Sequence, residues 1–159
     1  MSVHDLLRAC PIFFELYDKE INKIVKQCSV VTYKADENLI TDSEEGEEFG
    51  ILLSGSARVE KQAGAKRIHV QNIRPGDVFG EMVLVGEKKR TADIVASEKC
   101  EVLVIPYQGI FNLFKKEPSI FGLMMLNLSR LLIGKMKGTN SLLVDLQNKL
   151  ANEESRKSA

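Results

Sequence analysis

The chain has 159 residues, of which 44% are apolar and 28% are charged, a composition typical of a globular domain with its own hydrophobic core. Its 22 basic and 22 acidic residues give a formal net charge of +0, so no broad electrostatic attraction to nucleic acid is expected. Three cysteines without a CxxC pair, and an N-terminus without the pattern of a signal peptide, favour reduced thiols in the cytoplasm over a disulfide-bonded secreted protein.

The first 28 residues are predicted to be helical, because apolar residues recur there at intervals of three to four positions. Pro11 breaks this pattern, and Asp18 is placed to cap a second helix. Two helices are therefore expected before the first strand.

Residues 29–106 contain short apolar runs rich in Val and Ile, separated by turn sequences such as "DSEEGEE", "RPGD" and "GEKK". "ARVEKQ" and "KRIHVQNI" flank "AGA" and predict a hairpin with Gly64 at its turn. "ADIVAS" and "EVLVI" are the last clear strands. The even spacing predicts a mainly β protein: a β-roll of the jelly-roll or double-stranded β-helix type, with helices at both ends.

Helical periodicity returns after Pro106. "YQGIFNLFKKE" predicts a short helix that ends before Pro118, and Pro118 suits the first turn of a longer helix. Gly138 is expected to interrupt this helix and to divide a domain over residues 1–137 from a helical extension over residues 138–159. The most apolar part, "IFGLMMLNLSRLLIG", is too short for a membrane span and contains polar residues, so no membrane partner is expected.

The extension carries a short coiled-coil pattern. Its members fall at alternating spacings of three and four: Met136, Thr139, Leu143, Leu146 and Leu150. A homodimer through the C-terminal helices is expected, because a single helix would leave this apolar stripe in water. The alternative is that Gly138 turns the last segment back onto its own domain.

The segment "FGEMVLVGEKKRTADIVA", residues 79–96, has the parts of an anion cradle. Gly80 permits a positive φ, and backbone N–H groups after such a turn can converge on an anion. Glu81, when ionised, accepts hydrogen bonds from hydroxyls, and the planar guanidinium of Arg90 suits two phosphate oxygens. Thr91 adds a hydroxyl. An anion, sugar hydroxyls and a purine together make up a nucleotide.

These motifs, in this order, resemble the cyclic nucleotide-binding domain shared by protein kinase A regulatory subunits, gated cation channels and catabolite-activator-type bacterial regulators. "FGEMVL" followed by "RTA" is similar to the family's phosphate-binding cassette, and "ILLSGSARV" and "IRPGDVFGE" resemble the segments leading into it. The resemblance covers residues 6–132. It implies a regulatory sensor without catalysis that binds a cyclic purine nucleotide, cAMP or cGMP, and acts on an unknown downstream protein.

The resemblance also implies roles for individual residues. Glu81 would accept a hydrogen bond from the ribose 2′-hydroxyl, Arg90 would pair with the cyclic phosphate, and Thr91 would lie beside the phosphate or the base. The remaining ligand-site positions would be Phe79, Gly80, Met82 and Val83, the last three contributing backbone near the ribose and phosphate. Lys135 and Met136 would cover the purine as a lid, although both suit the core or the dimer seam better.

Val83 departs from the family pattern, which usually has Ala, Gly or Ser at this position. Its branched side chain would either crowd the phosphate or only alter the packing of the turn. Crowding would lead to a second functional hypothesis, an interaction module that has kept the fold and lost nucleotide binding. Arg90 has an alternative too, a surface ion pair with Glu81 or Glu87.

A β-roll enzyme is the third hypothesis. A metal-dependent enzyme of this shape needs a cluster of His and Glu ligands, but the two histidines, His4 and His69, stand far apart in the chain. No catalytic residues, metal site or cofactor are therefore expected.

Overall fold

The computed structural model describes residues 3–157, with side chains through residue 152. Its eight strands are β1 (Ser29–Tyr33), β2 (Asn38–Ile40), β3 (Glu48–Ser54), β4 (Ala57–Ala63), β5 (Lys66–Ile73), β6 (Val78–Phe79), β7 (Asp93–Ala96) and β8 (Cys100–Pro106). They form two antiparallel sheets, with strand orders β1-β8-β3-β6 and β2-β7-β4-β5. Neighbours in each sheet are mostly distant in sequence, so the chain crosses repeatedly between the sheets, and the predicted β-roll is confirmed. The β4–β5 hairpin is also confirmed, with Gly64 in its turn.

The central strands β3 and β8 are buried on both faces. Successive side chains of a strand point to opposite sides, so Ile51 packs towards the helices while Leu52 packs between the sheets. On β8, Leu103 and Ile105 join the helical side and Val102 the inner side. Two apolar clusters result, one under the helices and one inside the roll.

The helices are α1 (Val3–Ala9), α2 (Asp18–Val25), α3 (Tyr107–Lys116) and α4 (Pro118–Lys157). A short 3₁₀ turn, Pro11–Phe13, marks the predicted break at Pro11. The expected cap at Asp18 is wrong: α2 begins at Asp18, and the flanking residue is Tyr17. The backbone N–H of Tyr17 donates to the Glu20 carboxylate at 2.8 Å, which closes this helix end without a side-chain cap from Asp18.

Helix α4 is continuous for 40 residues and passes through Gly138, so the expected interruption is wrong. One glycine inside a helix costs only about 1 kcal/mol relative to alanine, and the helix-forming residues around it tolerate this cost. The side chain of Asn127 is buried and donates to the backbone oxygen of Phe14 at 2.6 Å, which ties α4 to the N-terminal segment. Residues 133–152 are exposed, so this half of α4 extends away from the core.

By length and composition alone, residues 118–152 of α4 could also cross a membrane. The expectation of a segment too short for a span was based on the apolar run at residues 120–134 and its polar residues, whereas the helix that contains this run is longer. The core helix of a globular domain passes the same test. In α4, Ile120, Met124 and Leu128 are buried, the first two in the cluster under the helices. The absence of a membrane partner stays a prediction.

Candidate functional site

A cavity of about 190 Å³ opens between the second sheet and the turn that follows β6. Its floor is apolar, and each strand of the second sheet contributes one side chain to it: Ile40, Ile94, Val59 and Ile73. The first three lie in one row, because Ile40 and Val59 both pair with Ile94 across the sheet. Charged and polar groups surround this floor: Glu81, Glu87, Lys89, Arg90, Thr91 and Lys135. An apolar floor with a few converging polar groups is the usual anatomy of a small-molecule site.

The turn after β6 depends on Gly80. This residue has φ +71°, a left-handed conformation that side chains with a Cβ rarely adopt. A Cβ here would also lie 2.8 Å from Nη1 of Arg90 and 3.0 Å from Ile40. The glycine therefore permits both the reversal of the chain and the close approach of Arg90. The 3₁₀ turn Glu81–Val85 follows directly.

The backbone of Arg90 is fixed by a second loop. Its N–H donates to the oxygen of Glu44 at 2.8 Å, and its own oxygen accepts from Ser43 at 3.0 Å. This loop also contains Gly46, where a Cβ would lie only 2.0 Å from Nη2 of Arg90. The guanidinium thus occupies space that any other residue at position 46 would fill.

The Arg90 side chain is only 9% exposed and lies in the cavity wall. Nη1 donates to the oxygen of Gly80 at 3.2 Å, and Nη2 donates to the backbone oxygen of Glu48 at 2.7 Å. The Glu48 carboxylate lies 3.6 Å away. The alternative in which Arg90 pairs with Glu81 or Glu87 is therefore wrong, since its acidic partner is Glu48. A guanidinium has five N–H donors, so these two carbonyls leave capacity for an anion.

Glu81 is the buried acid of the site, with a side chain only 6% exposed. Nζ of Lys135 donates to Oε1 of Glu81 at 2.7 Å and to the backbone oxygen of Val78 at 3.1 Å. Lys135 comes from α4, so the long helix reaches the cavity. Met136 is mostly exposed and is not among the residues that line the cavity, and the role of the two residues as a lid over the purine stays a prediction.

Val83 does not face the cavity. Its side chain is 2% exposed and packs in the cluster under the helices, whereas Met82 is 41% exposed and lines the cavity. In a 3₁₀ turn successive side chains point about a third of a turn apart, which sends these neighbours to different sides. The backbone N–H of Val83 donates to the backbone oxygen of Gly80 at 3.4 Å, a hydrogen bond within the turn. The crowding of the ligand by Val83 is therefore wrong.

The other predicted residues lie where the sequence placed them: Phe79 and Thr91 both line the cavity, Phe79 being buried and Thr91 exposed. Sequence reasoning missed the acidic partner Glu48, which stands in an acidic run without a distinguishing local pattern. It also missed the floor residues Ile40 and Ile94. Their β-branched side chains in short apolar runs were the available signal.

The described side chains do not form a metal site or present a reactive thiol. Over residues 3–152, no group of three or more His, Cys, Asp and Glu side chains is placed to hold a metal ion. Burial raises the pKa of the Cys10 and Cys28 thiols to about 12, so both are poor nucleophiles at neutral pH.

A β-roll with a guanidinium and a buried carboxylate above an apolar floor defines a binding domain for a small ligand that carries an anion and hydroxyls. Residues 30–117 match the family model of the cyclic nucleotide-binding domain. Because the match covers more than half of the chain, the chain belongs to the cyclic nucleotide-binding domain family, whose domains are regulatory.

Two curated relatives and one solved structure illustrate the membership. The chain is 28% identical over 109 residues to a cAMP-dependent protein kinase regulatory subunit of Eremothecium gossypii, covering 69% of this chain and 23% of the relative. It is 28% identical over 95 residues to a cGMP-dependent protein kinase of Drosophila melanogaster, covering 58% of this chain and 12% of the relative. It thus spans a quarter or less of each relative. A cyclic nucleotide-binding domain from Methylobacillus flagellatus has the same fold, with TM-score 0.77, 18% identity, and coverage of 85% of this chain and 76% of that chain.

Proposed function

We propose that this chain binds cAMP or cGMP reversibly, as a cytoplasmic sensor domain that regulates a downstream protein and does not catalyse a reaction. The observation that carries the proposal is the convergence of Arg90 and Glu81 on one cavity with an apolar floor. These two side chains are nine positions apart in sequence, and the absence of a side chain at Gly80 leaves room for the close approach of Arg90.

Each part of a cyclic nucleotide has a partner of suitable chemistry. The guanidinium of Arg90 forms charge-assisted hydrogen bonds to the cyclic phosphate. The ionised carboxylate of Glu81 has only acceptors and therefore selects the hydroxyl of the ribose. The purine is flat and largely apolar, and it covers the floor formed by Ile40, Val59 and Ile94. Both cAMP and cGMP carry the same phosphate and ribose, so the base preference is an outcome of the test.

The hypothesis of an interaction module without ligand binding loses its motivation, because Val83 packs into the core and leaves the cavity free of its side chain. A β-roll enzyme is likewise not favoured, since none of the described residues that line the cavity is a histidine, cysteine or serine.

Titration calorimetry of the full chain with cAMP and with cGMP tests the proposal, with 5′-AMP as the control ligand. We expect saturable binding of at least one cyclic nucleotide and much weaker binding of 5′-AMP, whose open phosphate has a different shape and charge. Absence of binding by both cyclic nucleotides up to millimolar concentration would overturn the proposal. Chromatography of the same mixtures should recover the nucleotides intact, and hydrolysis would contradict the non-catalytic role.

We further propose that the protein is a homodimer through the exposed half of α4. Residues 133–152 span about 30 Å of helix at 1.5 Å per residue, and their apolar side chains remain in solvent in a single chain. The predicted seam consists of Met136, Thr139, Leu143, Leu146 and Leu150, all of which are exposed. Two antiparallel or parallel copies would bury the same stripe on each other.

Sedimentation of the full chain against a chain that ends at Gly138 tests the dimer. We expect a dimer for the full chain and a monomer for the shortened one at micromolar concentration. The variant Leu146→Glu should also be monomeric, because a charge in the seam would be buried without a partner. As a control, Asn148→Glu introduces the same charge on the helix face opposite the predicted seam. A monomeric full chain would refute the dimer.

A further inference from the structure

One ion pair joins the long helix to the ligand cradle. Nζ of Lys135 lies 2.7 Å from Oε1 of Glu81, and the two residues are 54 positions apart in sequence. The Glu81 carboxylate is buried, and a buried charge is costly unless a partner neutralises it. Among the hydrogen bonds and ion pairs of the described residues, Lys135 is the side-chain partner of this carboxylate.

Lys135 binds the cradle on both sides of its turn. Its Nζ donates to the carboxylate of Glu81, which directly follows Gly80. It also donates to the backbone oxygen of Val78, which lies in β6 before Gly80. A carboxylate has two oxygens and about four lone-pair positions. Lys135 uses Oε1 of Glu81, so Oε2 remains available to a hydroxyl donor.

From this geometry we propose that Lys135 is a positioning residue for the ligand. Lys135 holds the Glu81 carboxylate in place for the ribose hydroxyl and neutralises its charge beside the anionic phosphate. The inference rests on the proposed function, since it assigns a role within the same site.

The charges support this assignment. The cavity wall carries two carboxylates, those of Glu81 and Glu87, and three cationic groups, those of Lys89, Arg90 and Lys135. A cyclic nucleotide adds one negative charge, so three positive charges of the wall then face three negative ones. Without Lys135 the negative charges would exceed the positive ones in a poorly solvated cavity, where like charges repel more strongly than in water.

A set of matched variants tests the proposal through affinity for the nucleotide that the chain binds and for its 2′-deoxy analogue. Lys135→Met should weaken binding of the nucleotide about tenfold or more, in line with the loss of a hydrogen bond to a charged group. It should also reduce the preference for the 2′-hydroxyl. Lys135→Arg, which keeps the positive charge, should retain most of the nucleotide affinity and most of the preference for the 2′-hydroxyl. Lys137→Met, which removes the same charge two residues further along α4, should bind like the parent.

Non-additivity supplies the second measurement. If Lys135 acts through Glu81, then Glu81→Gln combined with Lys135→Met should bind no more weakly than Glu81→Gln alone. Circular dichroism of each variant confirms that the fold is intact.

The outcomes separate the inference from the proposed function. A parent that binds neither cyclic nucleotide removes the proposed function and this inference with it. A parent that binds, together with a Lys135→Met variant of unchanged affinity and unchanged 2′-hydroxyl preference, overturns only the role of Lys135. Tighter binding by Lys135→Met would also overturn it, because the lysine would then compete with the ligand for Glu81.

Discussion

The substitution Val83→Ala tests the orientation of the cassette turn. Val83 is 2% exposed and packs under the helices, so alanine removes two buried methyl groups. At roughly 0.8 kcal/mol for each buried carbon, plus the cost of the cavity left behind, unfolding should become easier by about 1.5–3 kcal/mol. For a chain of 159 residues this corresponds to a melting temperature lower by roughly 5–10 °C. Nucleotide affinity at 25 °C should change little, because the side chain does not line the cavity.

Met82→Ala is the matched control for this variant, since it shortens the adjacent side chain of the same turn. Met82 is 41% exposed and lines the cavity, so its loss should leave stability nearly unchanged and alter nucleotide affinity. Urea denaturation followed by circular dichroism gives the stability of both variants, and calorimetry gives the affinity. The placement of Val83 in the core would be refuted by a Val83→Ala protein that is as stable as the parent and binds nucleotide more tightly.

Two further substitutions address the phosphate site and the long helix. Arg90→Ala should weaken cyclic nucleotide binding by at least tenfold, because a hydrogen bond to a charged group is worth about 1.5–3 kcal/mol. Calorimetry measures this affinity, and Arg8→Ala, which removes an exposed arginine, is the control. An Arg90→Ala protein that binds the nucleotide as tightly as Arg8→Ala and the parent would contradict the phosphate assignment. Gly138→Ala should raise the free energy of unfolding by up to about 1 kcal/mol, because α4 is helical at this position and a Cβ there meets no other atom. Circular dichroism should show unchanged or slightly higher helix content. A lower helix content would mean that the glycine interrupts α4.

The architecture was accessible from the sequence because it depends on local patterns. Runs of alternating apolar residues between turn sequences predicted the strands, and intervals of three to four predicted the helices at both ends. The order Gly80, Glu81, Arg90 was also informative, because the turn and the arginine belong to one short segment. Local backbone conformation sets the turn at Gly80 and Glu81, while the position of Arg90 also depends on backbone hydrogen bonds to Ser43 and Glu44.

The direction of individual side chains was decided by the tertiary structure. The sequence does not distinguish a Val83 that faces the ligand from one that faces the core, because this depends on the 3₁₀ geometry of the turn and on what packs against it. The continuation of α4 through Gly138 had a similar cause. Glycine is a weak helix breaker, so its small cost is overcome once the first half of the helix is fixed by packing against the roll.

Contacts between distant segments were beyond the reach of sequence patterns. Glu48 lies beside Arg90 because the backbone of Arg90 is hydrogen-bonded to the loop that precedes Glu48. The sequence of either segment alone does not indicate this contact. Lys135 meets Glu81 across 54 positions, at a point fixed by the packing of α4 on the N-terminal segment and the roll. The sequence by itself thus determined the elements and the cradle motif. Only the packing of those elements decided which charges neutralise one another, because electrostatic pairing depends on distance in space and not on position along the chain.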